Sequence, residues 1–289
     1  AASDVYKRQA ESKIIKENVN ALVTKSGIST NDIDCIFAGD LLNQCISSSF
    51  GLRDSNIPFV GMFGACSTFV ESMCMGAIAV ESFAKNVICA TSSHFCSAEK
   101  QFRFPLELGN QRPPTSQWTV TGSGASILSK SGNGPYITNI TLGKIVDMGI
   151  KDANNMGAAM APAFADTLLT HFLDTGRNPS YYDAIISGDL GKIGKDIAID
   201  IAMSKGFNIK SNYNDCGLLI YDTKAQDTHA GGSGCACCGT VFSGYLFKQL
   251  QSKKIKKLLL IATGALMNST SSQQGESIPG IAHAISIEI

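Results

Sequence analysis

A cysteine at a predicted helix start is the first candidate for chemistry in this sequence. Cys66 lies in the run Gly64-Ala-Cys-Ser-Thr, and the helical pattern that follows continues to about Ala84. The free N–H groups and the dipole at a helix start favour the thiolate form, so Cys66 is a candidate nucleophile. The alternative is a small buried side chain in a pocket wall, because covalent catalysis also requires a nearby base.

A second glycine-rich segment precedes another predicted helix. The segment is Gly231-Gly-Ser-Gly234, and the helix after it begins with the pattern C-x-C-C, formed by Cys235, Cys237 and Cys238. The pattern G-x-G-x-x-G is incomplete, which argues against a dinucleotide site. No partner C-x-x-C or H-x-x-x-H supplies further metal ligands, so we predict neither a metal nor a cofactor. Free N–H groups at this helix start could still hold an anion.

The elements that must position these residues occur twice. The segments 34–41 and 183–190 are both short apolar runs that end in Gly-Asp-Leu, which predicts a buried strand and its turn. A helical stretch precedes each one, at 11–25 and 161–174, and Gly27 and Gly176 end these helices. Asp189 therefore has a copy at Asp40, and both could be turn residues that bind local N–H groups.

The two cysteine-containing helix starts repeat in the same order. Each helix is followed by an apolar strand, at 87–92 and 257–263, and strands at 125–129 and 281–289 close the two halves. This alternation predicts an α/β fold of two pseudo-symmetric halves with mixed sheets. A turn at 132–135 divides the chain into residues 10–133 and 134–289.

Composition narrows the classes of function. The 289 residues carry 24 basic and 24 acidic side chains, and this neutral balance argues against a nucleic-acid partner. No apolar run is long enough to span a bilayer, although the basic turn 253–257 could contact anionic lipid. Ten cysteines in 289 residues are too sparse for a disulfide-stabilised scaffold, so we expect a reduced, intracellular setting. Residues 3–9 match a translated sequencing adaptor, so we expect native sequence to begin near Ala10.

The longest irregular stretch runs from Ser93 to Gly122. It carries aromatic residues together with four side chains that could bind an anion, His94, Lys100, Arg103 and Arg112. Loops of this length in compact domains are usually functional or disordered. The aromatic content indicates order, and we interpret the stretch as a cover over a binding site.

Several motifs together resemble one family, the stage V sporulation protein AD family. They are residues 94–107, 109–113, 118–124, 187–191, 231–239 and 279–283, and the similarity extends from Ala10 to Ile289. The resemblance implies a five-layer, thiolase-like αβαβα fold whose opening strand is missing here. It further implies a non-enzymatic protein that binds dipicolinic acid (pyridine-2,6-dicarboxylate) for uptake into the developing spore. The implied partners are the other proteins of the spore dipicolinate channel, and the implied location is the forespore or spore, with peripheral association at the inner spore membrane.

The resemblance also bears on catalysis. Thiolase-like enzymes place a nucleophilic cysteine at the position of Cys66 and supply a histidine from loops of the second half. The matching loops here read 188–191, 232–234 and 264–266, and none contains a histidine. We therefore predict binding without chemistry; the alternative is an acyl-transfer enzyme with Cys66 as nucleophile.

The predicted ligand site collects residues from both halves. Two helix starts and a basic loop would anchor the carboxylates. The complete set is Cys66, Ser67, His94, Lys100, Arg103, Arg112, Asp189, Leu190, Gly232, Gly234, Cys235, Gly264, Ala265 and His283. We also predict a homodimer, because the apolar, uncharged strand 57–63 would otherwise be an exposed sheet edge.

Overall fold

The protein is described by a computed structural model. It covers residues 2–102 and 112–289, without the side chains of residues 2–8 and 99–102. The strands are β1 Cys35–Asp40, β2 Phe59–Gly61, β3 Asn86–Ser93, β4 Trp118–Thr119, β5 Gly122–Ser129, β6 Tyr136–Leu142, β7 Ala184–Ser187, β8 Tyr213–Asp215, β9 Gly232–Ser233, β10 Lys257–Ala265 and β11 Gly280–Glu288. The helices are α1 Ala2–Ser26, α2 Ile46–Leu52, α3 Thr68–Ser82, α4 Phe95–Phe102, α5 Met156–Thr175, α6 Gly191–Ser204, α7 Cys216–Leu219, α8 Cys235–Val241, α9 Phe247–Gln251 and α10 Ser269–Gln273.

The two large sheets share one topology. In the first, β1 lies between β2 and β3 and is parallel to both, and β5 is antiparallel to β3. In the second, β7 lies between β8 and β10 and is parallel to both, and β11 is antiparallel to β10. The second sheet carries β6 as an additional antiparallel strand beside β11. The predicted internal repeat is therefore confirmed by strand order and direction.

The repeat extends to single hydrogen bonds. Asp34 Oδ2 accepts from the backbone N–H groups of Lys85 and Asn86, and Asp183 Oδ2 accepts from those of Lys256 and Lys257. In each half, this carboxylate fixes the start of the strand beside its own. The sheets themselves divide between residues 129 and 136, close to the predicted boundary, although the division into two domains stays a prediction.

Alternating strand residues build five layers. Phe37 belongs to a core between the sheets, whereas Ile36 and Ala38 pack against α1 on the outer face. In β10, Leu258 and Leu260 face the same central core, while Leu259 and Ile261 pack with α5. Because both faces of these central strands are covered, β1 is continuously apolar from Cys35 to Ala38 and β10 from Leu258 to Ala262. Helices α3 and α8 fill the central layer, which confirms the predicted αβαβα fold.

Helix ends follow the predicted signals. Gly27 and Gly176 adopt left-handed conformations with φ of 69° and 65°, after α1 and α5 respectively. This conformation suits glycine, because it has no Cβ. The prediction of one irregular stretch from Ser93 to Gly122 is wrong. It contains α4 and β4, and β4 pairs with β9 from the second half.

Candidate functional site

A cavity of about 430 Å³, a volume that includes the solvent at its mouth, opens beside the start of α3. Its walls combine the ends of β1 and β10 with α4 and the β4–β9 pair. It is lined by Leu41, Phe63, Ala65, Cys66, Ala98, Thr119, Met156, Ser233, Ala265 and Met267. Among these residues only Thr119 and Ser233 are polar, and none is charged. An apolar pocket with a few polar groups is typical of a small-molecule site.

Close backbone packing positions Cys66. A Cβ at Gly264 would lie 2.1 Å from the carbonyl oxygen of Gly64. The backbone of β10 can therefore approach the turn before α3 this closely only because residue 264 is glycine. Within the turn, Ser67 Oγ donates to Gly64 O at 2.7 Å and Thr68 Oγ1 donates to Ala65 O at 2.6 Å. These contacts hold the turn that presents the Cys66 thiol to the cavity.

The Cys66 thiol lies in surroundings that keep it protonated. Its Sγ is 4.0 Å from Ser233 Oγ, and the side chain is 6% exposed. Burial raises the pKa of the Cys66 thiol well above its usual range, and the nearby Asp189 carboxylate raises it further. The thiolate favoured by a helix start is therefore strongly opposed here. At neutral pH this cysteine is a neutral thiol and a poor nucleophile.

Asp189 lies behind the cavity wall and is fully buried. Its Oδ2 accepts from Gly234 N at 3.0 Å and Ser233 Oγ at 3.2 Å, and its Oδ1 accepts from Thr263 Oγ1 at 3.0 Å. Burial raises the pKa of Asp189 to about 7, despite these hydrogen bonds that favour the charged form. The carboxyl group therefore gains or loses its proton near neutral pH.

Several backbone N–H groups at the two helix starts have acceptors within the protein. The Gly234 N–H is bound by Asp189 and the Ala236 N–H by Ser93 Oγ. At the other start, the Ser67 and Thr68 N–H groups donate to the carbonyl groups of Gly64 and Ala65. The protein's own acceptors already satisfy these donors. The N–H groups of Ser67, Thr68 and Gly234 are thus engaged within the protein, and a ligand-anchoring role for the two helix starts stays a prediction.

Several other predicted site residues perform structural roles. Leu190 packs in the core outside the second sheet, and the Gly232 carbonyl oxygen accepts from Gln117 Nε2. Cys235 is buried and its Sγ donates to Ser92 O at 2.9 Å. Arg112 donates from Nη2 to Asp227 O at 2.8 Å and stacks over Trp118. None of the four lines the cavity, whereas Cys66 and Ala265 do. The Lys100 side chain and Arg103 lie outside the described residues.

All four histidines of the sequence lie in described segments, and none lines the cavity. His94 Nδ1 accepts from Cys96 N at the start of α4, and His283 Nδ1 accepts from Gly143 N within the second sheet. His171 is buried between Thr141 and Tyr182, and His229 contacts Asp227. The Cys66 thiol thus has an aspartate, rather than a histidine, as its titratable neighbour across the cavity wall.

Sequence reasoning missed most of the cavity wall. The residues not predicted are Leu41, Phe63, Ala65, Ala98, Thr119, Met156, Ser233 and Met267. Ser233 could have been found, because it lies between two predicted glycines. Ala98 and Thr119 come from the stretch interpreted as a cover. The apolar residues carried no chemical signal, since their types are those of any core.

Across residues 2–102 and 112–289, no group of three or more His, Cys, Asp or Glu side chains could hold a metal ion. The C-x-C-C cysteines are buried in α8 and pack in the central layer or beside Cys66. Within the described segments, no helix is both long and apolar enough to cross a membrane.

Superposition on solved structures identifies the fold class of this chain. The chain superposes on the tetronic acid condensing enzyme AbyA1 with a TM-score of 0.61 at 10% identity, covering 96% of this chain and 86% of that one. It superposes on the acyltransferase ChlB3 with a TM-score of 0.63 at 9% identity, covering 96% and 84%. For a variant of Xanthomonas campestris OleA with cerulenin, the TM-score is 0.63 at 10% identity, covering 96% and 80%. The fold is thiolase-like.

Sequence comparison narrows the class to one family. The profile of the stage V sporulation protein AD family matches residues 2–288. The chain is 45% identical to stage V sporulation protein AD of Bacillus subtilis strain 168 over 280 residues, covering 96% of this chain and 82% of the relative. The chain belongs to the stage V sporulation protein AD family and is a sporulation protein.

Proposed function

We propose that this chain is a non-catalytic binding protein that takes dipicolinic acid into the cavity beside Cys66, for uptake into the developing spore. The observation that carries the proposal is the state of Cys66. Burial and Asp189 raise the thiol pKa at the position where a thiolase-like enzyme has its nucleophile. A cavity with a neutral thiol and no histidine in its wall suits binding better than acyl transfer.

The cavity chemistry supports a flat aromatic acid. Leu41, Phe63 and Met267 offer apolar walls for a ring, and the Thr119 and Ser233 hydroxyl groups offer polar contacts. The carboxylates also require cationic donors. Lys100 and Arg103 are the proposed donors, because they follow Ala98, which lines the cavity from α4. Arg112 is not among the proposed donors, because its Nη2 donates to Asp227 O, its guanidinium stacks over Trp118 and it does not line the cavity.

Calorimetric titration with dipicolinate, with benzoate as the one-carboxylate control, tests the proposal. Lys100→Gln or Arg103→Gln should weaken binding by about ten-fold to a hundred-fold, the range expected for a charge-assisted hydrogen bond. Arg112→Gln is the matched control and should bind like the parent. Cys66→Ser should also bind like the parent, because no covalent step occurs. Equal affinity for benzoate and dipicolinate would contradict a dicarboxylate site.

The second candidate is an acyl-transfer enzyme that uses Cys66. Its support is the thiolase-like fold together with the place of Cys66 at the start of a buried helix. Incubation with acyl-CoA followed by intact mass measurement distinguishes the two candidates. A stable acyl adduct that disappears in Cys66→Ala would overturn the binding proposal.

The same proposal includes an assembly and a location. Strand β2 forms an edge of the first sheet, and Phe59, Val60 and Phe63 are exposed there. An exposed apolar edge favours pairing with a second copy, so the proposed form is a homodimer. The proposed location is the forespore or spore, with dipicolinate-channel proteins as partners and peripheral contact with the inner spore membrane.

A further inference from the structure

A buried carboxyl group stands behind the α4 wall of the cavity. Glu11, on α1, is fully buried. Its Oε2 lies 2.5 Å from Ser97 Oγ on α4, and its Oε1 lies 3.3 Å from Ser92 Oγ on β3. No part of the proposed binding chemistry uses this side chain, and burying a carboxyl group costs free energy unless the group is hydrogen-bonded or neutral.

The hydrogen bonds indicate a protonated acid. Ser97 Oγ also lies 3.1 Å from the carbonyl oxygen of His94. A hydroxyl group has one proton, and a carbonyl oxygen can only accept. Both contacts of Ser97 are therefore hydrogen bonds at the same time when Glu11 is protonated and donates to Ser97 Oγ. In agreement, burial and then the Asp40 charge raise the pKa of Glu11 to about 8.

The titratable groups near Glu11 come from several packed elements. The Asp40 carboxylate, at the end of β1, repels the negative charge of ionised Glu11 and so raises the pKa of Glu11. Glu11 in turn raises the pKa of the Cys235 thiol at the start of α8. Helix α2 is followed by Arg53 and Asp54 at the surface, where Asp54 pairs with Lys16. His94 and Cys96 flank the start of α4. Its further charged residues, Glu99 and Lys100, have side chains outside the described part.

Glu11 contacts α4 at Ser97, the residue next to a cavity-lining residue. Its partner Ser97 precedes Ala98, which is 3% exposed and clusters with Leu41, Cys66 and Cys235. Helix α4 is also held near its start, where Phe95 stacks on Trp118 and the Phe95 N–H donates to Thr121 Oγ1. The contact between Glu11 and Ser97 adds a hydrogen bond next to Ala98, in the part of α4 that faces the thiol.

We propose that protonated Glu11 is a positioning residue that holds α4 against the cavity, and so sets the shape in which the cavity accepts its ligand. The effect on the ligand rests on the function proposed above. The positioning of α4 does not, because it is a property of the ligand-free protein. When Glu11 ionises, the donor to Ser97 is lost and the carboxylate faces Asp40, so the wall loosens.

The first experiment uses no ligand. The variants are Glu11→Gln, Glu11→Ala and the control Glu17→Gln, which changes an exposed carboxylate on the same helix. The rate of N-ethylmaleimide labelling at Cys66 is followed by peptide mass at about pH 6.5, where Glu11 is protonated. Glu11→Ala should raise the rate about ten-fold or more, since a buried hydrogen-bond partner is removed. Glu11→Gln, whose amide also donates, and the control should label like the parent.

The second experiment measures the Kd for dipicolinate at about pH 6.5 and about pH 9, on either side of the Glu11 ionisation. The parent should lose more affinity at the higher pH than Glu11→Gln, because the amide does not ionise. If the parent itself binds no dipicolinate, the proposed function fails, and the labelling still decides the positioning role. Labelling of Glu11→Ala at the parent rate would overturn that role. If Glu11→Ala does not fold, equal labelling of parent and Glu11→Gln at about pH 9 overturns it instead.

Discussion

Asp40 and Asp189 are copies of one residue in the internal repeat, yet their partners differ. Asp40 accepts from the N–H groups of Leu42, in the turn after β1, and of Ser48, in the first turn of the next helix α2. Asp189 accepts from Gly234 and Thr263 in two other elements. The first is a turn residue, whereas the second joins β7 to α8 and β10 beside Cys66.

The residue-scale prediction concerns the charge of Asp189. Asp189→Asn should lower the pKa of Cys66 and raise its labelling rate by maleimide at about pH 8, because the repelling carboxylate is gone. The measurement is the pH profile of labelling at the Cys66 peptide, with Cys66→Ser identifying the signal. A profile that matches the parent would show that burial alone sets the thiol pKa.

At the element scale, close contacts between backbones decide how the helices and strands meet. A Cβ at Gly124 on β5 would lie 2.1 Å from the carbonyl carbon of Gly239 on α8, and Gly157 and Gly194 make a similar contact between α5 and α6. Gly264 makes the corresponding contact with the turn before Cys66. We predicted Gly264 as a ligand residue; its observed contact is with the turn.

Gly264→Ala should therefore destabilise the protein by about 1–3 kcal/mol, the usual cost of overpacking, or more if the backbone cannot shift. It should also displace Cys66 and weaken dipicolinate binding. The matched control is Gly132→Ala, because a Cβ at Gly132 has no neighbour within 4 Å among the described residues. Urea unfolding of both variants gives the comparison, and equal free energies of unfolding would contradict the packing argument.

At the scale of the whole molecule, buried acids give an unusual pH dependence of stability. Burial raises the pKa of Glu11 to about 8 and that of Asp189 to about 7, and it raises the pKa values of Asp40 and Asp215. Glu11 and Asp189 therefore stabilise the fold fully below their unfolded pKa of about 4, and that contribution is lost progressively as pH rises to about 7 for Asp189 and to about 8 for Glu11. His171 makes the stability of the fold rise with pH between about 4 and 6.5, because burial lowers its pKa from 6.5 to about 4.

The free energy of unfolding should consequently be greatest near about pH 4.5, fall progressively as pH rises, and be lower by several kcal/mol at about pH 8.5. Urea unfolding across this range measures the profile. Glu11→Gln should flatten the loss between about pH 5 and 8, because its amide does not titrate. A parent that is most stable above about pH 8 would contradict the assignment of these acids as protonated.

Assembly is the other prediction at this scale. Light scattering at micromolar concentration should give the mass of a dimer, and Val60→Lys on β2 should give a monomer, because a charged edge strand resists pairing. Met203→Lys changes an equally exposed apolar residue on α6 and should leave the dimer intact. A monomeric parent, or a dimeric Val60→Lys variant, would contradict pairing through β2.

The sequence by itself determined the repeated architecture and the position of Cys66. Local signals were sufficient for this, because apolar runs, glycine stops and the Gly-Asp-Leu ends depend on neighbouring residues. Helix α3 and strands β3 and β10 were accordingly predicted within a few residues of their observed bounds, whereas α5 begins at Met156, before the predicted start at 161.

Only the tertiary structure decided the chemistry of the site. The Gly234 N–H was a candidate anion donor until the fold brought Asp189 against it from 45 residues away. Glu11 carried no signal on a long polar helix, and it acquires a role because α1 packs it against Ser92 and Ser97, 81 and 86 residues away. Burial, which raises the pKa of Cys66, Asp189 and Glu11, depends on every layer around a residue. Local sequence determines elements, whereas desolvation and hydrogen-bond partners are properties of the assembled layers.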